Sequence, residues 1–139
     1  DANCGECNVH YYDTALNGLN EPVYFRVNQS TENKIATVND ATTIKVHGAT
    51  LSSFLQASNA EKEIIDFVKV DIESAEIFCL TNEEIQKTKG KVRTFFVECH
   101  PSQNYGMDEC LSILLQRFLN NGYKVETLDY QTFNATYDC

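Results

Sequence analysis

Apolar and polar side chains alternate along residues 67–73 and then the pattern stops. Val68, Val70 and Ile72 interleave with Lys69, Asp71 and Glu73, the period-two signature of a strand, until Ser74-Ala75-Glu76 breaks the alternation. The stretch "IIDFVKVDI" (64–72) is therefore predicted as a strand that runs into a short helical segment at 74–80. Thr81 and Glu84 have the spacing of a capping box and start a second short helix. "VRTFFVECH" (92–100) is a strand with an apolar centre, as expected of one buried on both faces. From Met107 to Phe118 apolar residues fall at 107, 110, 111, 114, 115 and 118, one stripe of a 3.6-residue helix. Gly122 stands where that helix would end on a left-handed residue. "YKVETLDY" and "FNATY" then read as two closing strands joined by a hairpin-like turn.

The first part of the chain is richer in β signals. "VHYYDTA" (9–15) is aromatic and β-prone, "NGLNEP" is a turn, and "VYFRV" (23–27) is a second strand. Residues 28–42 read as a long polar loop, and "TIKVHG" as a third strand ending at Gly48. Thr50 caps a brief helix, "LSSFLQAS", in which Leu51, Phe54 and Leu55 share a face. Strand, helix, strand, helix, strand predicts an α/β fold with a mostly parallel sheet covered by helices.

At 139 residues, with 42% apolar and 11% aromatic residues, the chain has the length and composition of one globular domain. A formal charge of −9 and a pI near 4.7 argue against duplex DNA and an anionic membrane as partners, since both would repel it. No apolar run approaches the ~20 residues of a membrane span, and no signal-peptide pattern is present. The sequence opens on Asp1 and not Met, which raises the expectation that an upstream segment has been removed. Cys79, Cys99 and Cys110 lie among apolar residues and read as buried thiols. Cys4 and Cys7, with His10, give C-x2-C-x2-H, one ligand short of a zinc site; a local disulfide or plain thiols are the alternatives. Sequons at Asn28 and Asn134 and the six cysteines keep a secretory route open, while the localisation leans to the cytoplasm.

In an open parallel sheet, ligands sit beyond the carboxyl ends of the strands. Two strands here end in ionisable residues, and as neighbours they bring Asp71, Glu73, Glu98 and His100 to one rim. Such a rim could bind a polar substrate, hold a cation or move a proton. The alternatives are a solvated face for Lys69, Asp71 and Glu73, an idle loop histidine for His100, and a first-turn glutamate for Glu76. Tyr105 in the following loop either lines the pocket or carries the chain to the next helix.

At these residues the chain resembles FkbM-type S-adenosylmethionine-dependent methyltransferases. "DFVKVDIESAEIFCL" is similar to their Asp-x-Glu-Gly-x-Glu signature, "VRTFFVECHP" to their strand ending in Glu and His, and "VHGATLSSFL" and "LQRFLNNGYKV" to flanking elements. The resemblance implies a partial doubly wound, class I methyltransferase-like mixed sheet with flanking helices, preceded by an N-terminal β-hairpin. It implies one truncated domain over 1–139, with a β-rich part at 1–58 and a β/α part at 64–139. It implies methyl transfer from S-adenosylmethionine to a hydroxyl of a small polar or sugar-like acceptor. Asp71, Glu98 and His100 would be catalytic, and Lys69, Glu73 and Tyr105 would bind substrate. Ser74 stands where the signature has Gly, which strains any turn that needs a positive φ. No metal is expected, and no residue is assigned to the cofactor, because the Gly-rich loop of the family has no counterpart before Val9. The family's strand order, 3-2-1-4-5-7-6, puts two absent strands between "HYYDTA" and "FVKVDI". That gap leaves the Asp71 strand open to the N-terminal hairpin, to a missing N-terminal half, or to a second copy in a homo-oligomer. The alternative function is a non-catalytic remnant that assembles or binds through this β-edge.

Overall fold

A computed structural model describes residues 9–26, 42–58 and 64–138. They form seven strands and four helices in two mixed sheets. The larger sheet contains β4 (Ile65–Val70), β5 (Val92–Glu98), β6 (Lys124–Thr127) and β7 (Thr132–Thr136), in the order β4-β5-β7-β6. β4 and β5 run parallel with Val70 opposite Val97, whereas β7 is antiparallel to both β5 and β6. The smaller sheet contains β1 (Thr14–Leu16), β2 (Val23–Arg26) and β3 (Thr43–Ala49), ordered β1-β3-β2. β1 is parallel to β3 and β2 antiparallel to it.

The expected mostly parallel sheet is thus a mixed one. β6 and β7 are joined by a four-residue turn, which permits only antiparallel pairing, and β7 inserts beside β5. The first strand is also shorter than "VHYYDTA" suggests. β1 starts at Thr14, while Val9 and Tyr11 are exposed and Tyr12 packs edge-on against Phe54. Aromatic residues favour a pleated surface only where a neighbouring strand supplies one. The polar loop, apart from Thr42, lies outside the described residues, as do Cys4, Cys7, Cys139 and the first sequon. Asn134 of the second sequon lies inside β7, paired on both sides.

One core unites these pieces. α4 (Met107–Asn120) turns Cys110, Leu114 and Phe118 inward, and the Phe118 ring meets Phe95 of β5 and Phe133 of β7 at 5.2 and 5.6 Å. Each such side chain contributes about 1.5–3 kcal/mol by leaving water. α4 ends in a Schellman motif: Gly122 has φ +83°, its N–H reaches Leu119, and that of Tyr123 reaches Phe118. α1 (Leu51–Ala57), capped by Thr50, supplies Leu51 and Leu55 to the same core. α3 (Asn82–Thr88), capped by Thr81, supplies Ile85. Between β4 and α3, the single turn α2 (Glu76–Cys79) is closed by Arg117 of α4, which donates to the carbonyls of Ile77 and Leu80. Cys79, Cys99 and Cys110 are free and buried. No helix among the described residues is long and apolar enough to cross a membrane.

Candidate functional site

The parallel pair β4–β5 sets the site. Val70 and Val97 end the paired run side by side in the core, so the chains leaving both strands emerge at one rim. After β4 the backbone passes through Asp71 and Ile72 and reverses at Glu73 and Ser74, whose φ values are +52° and +83°. Ser74 therefore holds a left-handed geometry that glycine adopts at less cost. α2 starts immediately afterwards, and its first residue closes the turn. The Glu76 side chain is 1% exposed; its Oε1 accepts the Ile72 N–H at 2.9 Å and its Oε2 the Ser74 N–H at 3.1 Å. Two backbone donors of the turn leading into α2 are satisfied in this way.

Glu76 has a third partner. Its Oε1 lies 2.9 Å from Nδ1 of His100, two residues beyond β5. The other ring nitrogen, Nε2, lies 3.9 Å from Oε2 of Glu73. Asp71, Glu73 and His100 each bring one donor atom within 4.8 Å of the other two. Burial pulls the His100 pKa down, but the Glu76 hydrogen bond and the charges of Glu76, Glu73 and Asp71 outweigh it and raise the pKa above the ordinary histidine value. A cavity of about 310 Å³ opens beside this group, lined by Asp71, Ile72 and Glu73 and, from the smaller sheet, by Thr14, Ala15, Leu16 and Phe25. Two of the three grouped residues are exposed carboxylates, which often cluster without an ion, so the grouping alone assigns no metal.

The remaining residues singled out in the sequence are distributed around this group. Lys69 donates to Oδ2 of Asp71 at 2.9 Å, and its pKa is raised chiefly by that bond, with a smaller contribution from Glu98. Glu98 accepts from Gln131 at 3.0 Å and stands outside the Asp71–Glu73–His100 group. Tyr105 is not gathered into it either. Its carbonyl accepts the Ser102 N–H, and its phenol lies within electrostatic reach of Arg117 on α4. Glu76 is the residue whose place the sequence reading missed. A first-turn glutamate normally faces water; here the backbone reversal at 73–74 folds it inward. The readable signal is its spacing, four residues after Ile72, which lets a side chain reach back to a backbone N–H of the preceding turn.

Neither curated proteins nor solved structures provide a match to the chain. A family model described as the methyltransferase FkbM domain matches residues 3–125, which include every residue of the site just described. The chain belongs to the FkbM methyltransferase family.

Proposed function

We propose that this chain is an S-adenosylmethionine-dependent O-methyltransferase domain acting on a hydroxyl of a small polar or sugar-like molecule. The observation that carries the proposal is the convergence of Asp71, Glu73 and His100 at the carboxyl ends of two parallel strands, in a chain of a methyltransferase family. The order β4-β5-β7-β6 also supports it, because it corresponds to the 4-5-7-6 half of the doubly wound methyltransferase sheet.

When bound, S-adenosylmethionine supplies an electrophilic methyl on a sulfonium cation, a charge that the paired carboxylates of Asp71 and Glu73 suit electrostatically. His100 takes the proton of the acceptor hydroxyl at Nε2. Asp71 and Glu73 accept hydrogen bonds from the acceptor's hydroxyls and orient it, while Lys69 balances the Asp71 charge. The described residues display no Gly-rich turn after a strand, so no residue here is assigned to hold the adenosine.

Titration calorimetry with S-adenosylmethionine tests the proposal. Saturable binding, weakened at least about tenfold by Asp71→Ala with the circular dichroism unchanged, is expected. No binding at millimolar cofactor overturns it. A second reading, self-assembly through a β-edge, is favoured by β4. It is the end strand of the larger sheet among the described residues, and Phe67 on it is 56% exposed. That reading expects a dimer or larger species by light scattering that Phe67→Lys returns to monomer.

A further inference from the structure

We infer that Glu76 is a positioning residue that keeps the proton of neutral His100 on Nδ1 and leaves the Nε2 lone pair facing Asp71 and Glu73. The use of that lone pair rests on the proton-transfer role proposed above; the placement of the proton rests on geometry alone.

Both Glu76 oxygens are already engaged as acceptors, Oε1 by the Ile72 N–H and Oε2 by the Ser74 N–H. A carboxylate in that position has only lone pairs left to offer, so the ring nitrogen 2.9 Å away must be the donor. The opposite arrangement would need a proton on an oxygen that faces a backbone N–H. The charged groups that act on the ring share one sign: Asp71 just beyond β4, Glu73 in the turn and Glu76 from α2. The base is thus oriented by a third group that is almost fully buried and held by the backbone. This is how a nucleophile's or acceptor's proton receiver is generally fixed in one tautomer. The same carboxylate holds Ser74 and, through the turn, Glu73. Loss of Glu76 therefore disturbs two of the three grouped side chains.

Long-range proton–nitrogen correlation spectra of protein labelled with 15N-histidine, recorded at a pH where the imidazoles are neutral, read the tautomer directly. His100→Gln identifies the His100 signals among those of His10 and His47. The expected result is a protonated Nδ1 and a bare Nε2 in the unmodified protein. Glu76→Ala, which removes the acceptor, is expected to give a mixture containing the Nε2–H form, which the free histidine side chain prefers. An Nε2–H signal for His100 in the unmodified protein overturns the inference. So does an unchanged tautomer in a folded Glu76→Ala protein. If that variant does not fold, the spectrum of the unmodified protein decides the matter by itself. Cofactor calorimetry on the unmodified protein reports separately on the proposed function. The expected tautomer with no cofactor binding would sink the methyl-transfer role and leave the Glu76–His100 pair in place.

Discussion

Ser74 is the residue at which chemistry and backbone pull in different directions. An L-residue pays about 1–2 kcal/mol in the left-handed region, and Ser74 pays it at φ +83° with its N–H tied to Glu76. The arrangement survives because Glu76 and the adjoining strand end over-determine the turn. Ser74→Gly should therefore stabilise the protein by about 0.5–1 kcal/mol, somewhat less than the strain because glycine loses more freedom on folding. A urea unfolding curve reads this directly, and a lower midpoint with an unchanged slope would show that the serine is not strained.

At the scale of elements, the helix starts are tied to one another. The capping box expected at Thr81 is only half formed: the Thr81 hydroxyl accepts the Glu84 N–H, but the Glu84 carboxylate turns away. It accepts instead the Ser52 N–H at 2.8 Å and the Ser52 hydroxyl at 3.0 Å, capping α1 from α3. Burial pushes the Glu84 pKa up, yet the two Ser52 bonds and Lys87 outweigh it and hold it below the ordinary glutamate range. A carboxyl with a lowered folded pKa contributes stability that is complete above its unfolded pKa and disappears as pH falls through the folded one. Glu84→Ala should cost about 2 kcal/mol at neutral pH and flatten the acid limb of a stability–pH profile, measured by urea midpoints between pH 7 and pH 3. An equal loss at both ends would assign Glu84 a packing role alone.

These elements also show what the sequence can carry. The Met107–Phe118 stripe was legible because its six apolar positions point to one side of a helix, and that side meets the core. Thr50, Thr81 and Gly122 were legible because caps are local chemistry. The reach of Glu84 to α1 was not, since the partner lies 32 residues away and nothing between them signals it. Within the site, the expectation that neighbouring parallel strands end at one rim was enough to bring Asp71, Glu73 and His100 together, but it also put Glu98 there, which stands outside the group. The burial of Glu76 depended on a backbone reversal that no side-chain pattern announces.

At the scale of the whole molecule, strand pairing sorts the described strands into two sheets, β1-β3-β2 and β4-β5-β7-β6. A propensity for extended backbone says which segments become strands and nothing about how many sheets they enter. The β-rich part meets α2 at a close approach of backbone. A Cβ on Gly18, at φ +77°, would lie 2.3 Å from the Phe78 carbonyl oxygen, so the turn after β1 sits directly on α2. Gly18→Ala should cost about 2–4 kcal/mol, through the left-handed conformation and the clash together, and thermal unfolding checks it.

The buried thiols make this joint observable. Cys79 lies under the Gly18 turn, while Cys99 and Cys110 lie inside the core, and burial pushes the Cys79 and Cys99 thiols up to about 12. At pH 8 such a group is roughly one part in ten thousand thiolate, so an alkylating reagent modifies it only when the surrounding structure opens. With Cys4, Cys7 and Cys139 replaced by serine, Cys79 becomes a clock for the Gly18 turn leaving α2, and Cys99 and Cys110 together a clock for the core. The protein thus carries two built-in timers for the order in which it comes apart.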